Sequence, residues 1–144
     1  MRVALLAVAA LLLVSCAGPT VTADQYRAKV AQTAKAMNSI VVTAQHAARL
    51  DLDGKMLHTV TDTVVSDAEQ DADSVQTTIE SRQPPDDESD QLRQQVEQPL
   101  QQAASLLTDL RIAVRDNDHG KQRATADALA EPLAAFEQLS GVAG

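Results

Sequence analysis

The chain has no tryptophan, one tyrosine, one phenylalanine and one cysteine in 144 residues. With so few rings, a pocket lined by stacked aromatics is not expected. A single cysteine allows no disulfide within the chain, so the fold must stand on packing alone. The five glycines are scattered, and none opens the glycine-rich loop that cradles a phosphate. No Ser-His-Asp or Cys-His set sits in a recognisable scaffold motif, Cys-x-x-Cys-His is absent, and no stretch alternates apolar and polar residues with period two. Neither an enzyme nor β-structure is therefore expected. The one long apolar run, Val3 to Val14, has 12 residues. As a helix it would rise about 18 Å, short of a hydrocarbon core of about 30 Å. Positive charge is also scarce: 12 Lys and Arg stand against 20 Asp and Glu, a net charge of -8. That balance repels nucleic acid and anionic head groups, so neither is an expected partner.

The short apolar run follows only Met1 and Arg2, and it leads into small residues and then Pro19. A basic start, an apolar middle and a small-residue exit form a secretory signal. Its exit, Leu13-Val14-Ser15-Cys16, resembles the lipobox of bacterial lipoproteins, over the first 16 to 18 residues of the chain. The resemblance implies cleavage before Cys16, lipidation of its thiol, and a domain held at the cell membrane or envelope on the extracytoplasmic side. Two or more acyl chains anchor stably where one binds only marginally. The expected organisation is then a signal peptide over 1–15, a lipidated tether over 16–21 reaching less than about 20 Å, and a folded domain over 22–144. The resemblance does not extend into that domain.

Within it, apolar residues recur at spacings of three and four, the signature of helices buried on one face. Tyr26, Val30, Thr33, Met37, Ile40, Ala44 and Ala47 form the first stripe, opened by Thr22 and Gln25 as a capping box. Leu57, Thr61, Val64, Ala68, Ala72, Val75 and Ile79 form the second. Leu92, Val96, Leu100, Ala103, Leu107, Leu110 and Val114 form the third, and Leu129, Leu133, Phe136 and Leu139 the fourth. The segments "DLDGK", "QPPDDESD" and "DNDHG" carry turn chemistry. Helices are expected over about 23–50, 54–82, 87–116 and 120–140, assembled as an all-α, antiparallel up-down four-helix bundle. Pro99 and Pro132, in "VEQPLQQA" and "LAEPLAAF", are expected to kink the third and fourth helices. The acidic run after Pro85 reads as helix-start electrostatics. The first helix is basic, with Arg27, Lys29, Lys35 and Arg49 against Asp24; the second is acidic, with Lys55 and Arg82 against six carboxylates. This contrast makes them expected neighbours.

Up-down topology brings the turns at 51–54 and 116–120 to the end far from the tether. His46, His58 and His119 gather toward that tip with Asp51, Asp53, Asp116 and Asp118. Histidine with aspartate is an ordinary ligand set for zinc and related ions, which makes His46, His58, Asp116, Asp118 and His119 candidate metal residues. The spacing supplies no preformed pair, however, and solvated surface is the favoured reading. Asp51-x-Asp53-Gly54 matches only the start of a calcium loop and lacks its terminal Glu. Met37 is the core-facing sulfur, read as core filler rather than as a haem ligand. No cofactor is expected. The favoured function is a membrane-anchored binding or scaffolding module with an envelope protein partner. The alternative is a carrier or sensor with a metal at the tip or an apolar molecule between helices splayed by the prolines. Alanine-rich faces also leave a homodimer open.

Overall fold

A computed structural model describes residues 21–142. Over these residues the chain is all-helical, with four helical rods packed against each other as an antiparallel bundle. The expected signal peptide over 1–15, most of the expected tether over 16–21, and Cys16 lie outside the described residues.

Helix α1, Ala23–Leu52, begins at the expected capping box: the Gln25 N–H donates to Thr22 Oγ1, and the Thr22 N–H donates to Gln25 Oε1, both at 3.2 Å. It ends in a Schellman turn, with Gly54 at φ +68° as the left-handed residue. The Lys55 N–H donates to the Leu50 carbonyl and the Gly54 N–H to the Asp51 carbonyl. That turn leaves 54–57 outside any helix. Helix α2, His58–Glu80, therefore starts four residues later than the stripe implied. Helix α3, Asp87–Arg115, is capped by Asp86, whose carboxylate accepts from the Ser89 N–H at 2.8 Å. That backbone hydrogen bond holds the Asp86 carboxyl below its ordinary range. Asp87, Glu88 and Asp90 occupy the first turn, where the helix dipole favours negative charge.

α3 closes with a second Schellman turn, in which Asn117 takes φ +54°. The Asp118 N–H donates to the Ala113 carbonyl and the Asn117 N–H to the Val114 carbonyl. Asparagine tolerates this region better than most side chains, and Gly120 is left free to lie inside the next helix.

The fourth rod is two helices, α4, His119–Ala128, and α5, Ala130–Ser140. Pro132 stands in the first turn of α5, where its missing N–H is not required. It offers no donor to the Ala128 carbonyl, and the helix is interrupted at Leu129. Pro99, in a similar sequence setting, sits inside an unbroken α3. Near the break Gln45 Nε2 donates to the Ala126 carbonyl at 2.6 Å, a contact from another rod. Both proline rings are themselves buried.

In cross-section α1 and α3 form the short diagonal. Each touches every other rod, whereas α2 touches α1 and α3 but neither α4 nor α5 among the described residues. The core between them contains Tyr26, Met37, Leu100, Leu107, Leu110, Leu129 and Phe136, all 0 % exposed. Alanines at 34, 44, 72 and 103 let the rods approach closely. Leu57, counted with the second stripe, is 74 % exposed, because it precedes α2 in the turn rather than lying on its buried face.

The Tyr26 hydroxyl is buried without a hydrogen-bond partner among the described residues. Burial, opposed by Arg93 and reinforced by Glu97 and Asp90, raises the phenol above its ordinary 10.0. Because the folded state holds this proton more tightly, its contribution is fully present below the unfolded value and is lost as pH rises through the folded one. Tyr26→Phe is expected to stabilise the domain by about 1 kcal/mol by removing an unsatisfied polar group. It should also flatten the alkaline fall in stability, measured as urea midpoints between neutral pH and pH about 11.

Candidate functional site

The two Schellman turns lie at one end of the bundle, and polar side chains converge between them. Asp51, in the last turn of α1, has a side chain only 8 % exposed. Its Oδ2 accepts from Gln122 Nε2 at 3.0 Å and lies 3.3 Å from His58 Nδ1, which donates when that nitrogen carries the proton. Gln122 Nε2 also donates to the Ala48 carbonyl at 3.0 Å, while Gln122 Oε1 is buried without a partner among the described residues. One carboxylate thus ties the end of α1, the first residue of α2 and the first turns of α4. Gln45 and the Arg49–Asp127 pair extend the same clasp along α1 and α4.

Of the residues singled out at this tip, only Asp51 and His58 are brought together. His46 lies exposed on α1 and His119 exposed at the start of α4. Asp116 is the exposed C-cap of α3. Asp118 caps α4, its carboxylate accepting from the Lys121 N–H at 2.9 Å. Asp53 pairs with Lys55. Among the described residues no three His, Cys, Asp or Glu side chains form a group able to hold a metal ion. Fixed helix ends account for this, since Asp116 and Asp118 are held by two consecutive caps that set His119 on the outer surface.

A histidine oriented by a buried carboxylate is half of an acid–base arrangement. Here the pair joins the end of α1 to the start of α2, 3.3 Å between Asp51 Oδ2 and His58 Nδ1. Gln45 and Gln122 were not singled out by the sequence reading. The signal for Gln122 was present: stepping back from Leu129 by four and three residues reaches Thr125 and Gln122, so the buried stripe of the fourth rod begins with an amide.

Among the described residues every Lys or Arg ion pair between rods has a partner on α3 or α4. Arg111 and Arg115 of α3 pair with Glu69 and Asp62 of α2, and Arg27 pairs with Glu88. Burial acts to raise the Glu69 carboxyl, but hydrogen bonds from Thr108 and Arg111 outweigh it and leave the group lowered. Its stabilising contribution is present above the unfolded carboxyl value and lost as pH falls through the folded one. α1 and α2 are neighbours as expected, yet among the described residues no Lys or Arg of one pairs with a carboxylate of the other, and the contact of Asp51 with His58 at the tip is the one pair that joins them. Packing of small and β-branched side chains, not charge, sets their register.

No helix among the described residues is long and apolar enough to cross a membrane. No family model matches the chain, and neither the curated proteins nor the solved structures compared with it match.

Proposed function

We propose that this chain is a membrane-anchored envelope lipoprotein whose helical bundle is a non-catalytic binding or scaffolding module. The observation that carries the reading is Cys16, the sole cysteine of the chain, standing directly after the apolar run in Leu13-Val14-Ser15-Cys16. Six residues later Thr22 caps α1, so the lipid would hold one end of the bundle close to the surface. The tip with its Asp51–His58–Gln122 clasp would then face outward, opposite the tether. Two features favour binding over chemistry. His58 is engaged by the buried Asp51 within the fold, and the grooves between α1 and α2 are open seams.

Cys16→Ala is expected to move the protein from the detergent-extracted membrane fraction to the soluble fraction while leaving the circular dichroism spectrum unchanged. Intact mass of the wild-type protein should show a cleaved chain beginning at Cys16 with added acyl mass. A variant that stays in the membrane fraction would sink the anchoring proposal.

A further inference from the structure

α4 is fastened to the bundle differently from the other helices. Its buried residues are Gln122, Thr125 and Ala126, so this segment puts no large apolar side chain into the core. α5, of nearly the same length, buries Pro132, Phe136 and Leu139 and packs Leu133 against the core. What holds α4 is polar. Gln122 donates to the Ala48 carbonyl and to Asp51, Gln45 donates to the Ala126 carbonyl, and Arg49 pairs with Asp127 and Lys121 with Asp109. Hydrogen bonds are exchanged for bonds to water when a segment lifts, so each holds it less firmly than burial of a large side chain does. The two ion pairs are exposed and contribute less still. Release also leaves little unsatisfied. Gln122 Oε1, buried without a partner among the described residues, gains water, and Asp51 keeps His58 of α2 when Gln122 leaves it. The rod is already interrupted at both ends of the segment, by Asn117 at φ +54° before it and at Leu129 after it.

We infer that α4 is a strap that undocks as a unit from the end of the bundle carrying the two Schellman turns, while α1, α2, α3 and α5 stay packed. Its pivots are the Asn117 turn and Leu129, whose side chain is 0 % exposed and pins the fourth rod to the core. The opening stops at Leu129 because α5 packs on both α1 and α3 through its own large side chains. Undocking uncovers the ends of α1 and α3 that α4 bridges. Ala48 and Ala113 are both 0 % exposed there. The Ala48 carbonyl accepts from Gln122, and the Ala113 carbonyl accepts the Asp118 N–H that leads into α4. The bundle thus has a closed state and an open state that differ at one tip, with an apolar cleft between α1 and α3 present only in the open one. An inner segment gives way before the chain end, the reverse of ordinary terminal fraying. The inference does not rest on the anchoring proposal.

The test is native-state hydrogen exchange of the full chain in mild detergent, read by mass spectrometry on overlapping peptides, for the wild type and for Gln45→Leu. In the wild type, amides of 123–128 are expected to exchange at least about a hundredfold faster than those of 34–48, 100–114 and 133–139, once intrinsic rates are divided out. Low urea should barely change the 123–128 rates, because a local opening exposes little surface. Gln45→Leu removes the donor to the Ala126 carbonyl, and it should speed the 123–128 amides about tenfold further while leaving 133–139 as they were. A smaller wild-type difference between 123–128 and 100–114 overturns the inference, since α4 then opens only with the whole fold. Faster exchange over 133–139 than over 123–128 overturns it as well, because that is fraying from the chain end. So does a Gln45→Leu variant that speeds every helix alike or leaves 123–128 unaffected. Should that variant fail to fold, the wild-type profile decides alone.

Discussion

Phe136→Ala is expected to destabilise the domain by about 3–5 kcal/mol, the largest loss from any single truncation considered. Phe136 is the only phenylalanine and is 0 % exposed. It projects from α5, the short segment after the Leu129 interruption, into a core filled mostly by Leu, Val and Ala, with Tyr26 as the one other ring. Truncation removes the ring's transfer free energy and leaves a cavity that neighbouring alanines are too small to fill. Domains of this size are stable by about 5–15 kcal/mol in total, so the variant should lose a large share of its stability. α5 packs on both α1 and α3, so the loss should appear as cooperative unfolding at a lower urea midpoint rather than as fraying of the terminus. Leu57→Ala is the matched control. Leu57 is 74 % exposed, and its truncation should change stability by no more than about 0.5 kcal/mol. Equal losses at the two sites would contradict the packing described here.

The second large effect is expected at the polar clasp. Gln122→Glu keeps the shape of the side chain but replaces an amide that donates to Asp51 Oδ2 and the Ala48 carbonyl with a carboxylate that donates to neither. At neutral pH two carboxylates would face each other where Asp51 is 8 % exposed and Gln122 fully buried. Loss of two hydrogen bonds and like-charge repulsion out of water should together cost about 3 kcal/mol or more. The sign of the pH dependence separates this from simple misfit. The folded variant binds a proton more tightly than the unfolded chain, so its stability should recover as pH falls and the pair comes to share that proton. Urea midpoints at neutral pH and at pH about 5 would read this directly. Gln122→Leu is the comparison: it removes the donors without adding charge, so its loss should be smaller and nearly independent of pH over that range.

Both predictions come from the fourth rod, where sequence reasoning and tertiary structure part most clearly. The Pro132 setting reads the same as the Pro99 setting, and propensity alone assigns both a kink. Pro99 is carried through an unbroken helix that packs against every other rod, while Pro132 coincides with an interruption whose Ala126 carbonyl is met by Gln45 from another helix. Gln45 and Ala126 are 81 residues apart, and no local pattern shows that they meet. The metal candidates show the same limit. Proximity of turns in an up-down bundle was legible and is found, since the Asp51 and Gln122 regions touch. Whether His46, His58 and His119 converge depends on the rotation of each helix about its own axis, and that is set by packing.

By itself the sequence determined the all-α class, the four rods and most of their ends. It did so because those features rest on local physics: periodic burial, a capping box at Thr22, prolines after α2, and residues able to take positive φ, Gly54 and Asn117, at the two other turns. Cys16 and its apolar approach are local in the same sense, and they carry the proposal about location. Tertiary structure alone decided that α1 and α3 form the inner diagonal, that α2 is an outer helix, and that Asp51 is shared by His58 and Gln122. It also decided that Arg27 and Arg49 of α1 and Asp62 and Glu69 of α2 pair with groups on α3 and α4 rather than with each other. The reason is that charge and hydrogen bonding choose among near neighbours only after close packing has fixed which side chains are neighbours.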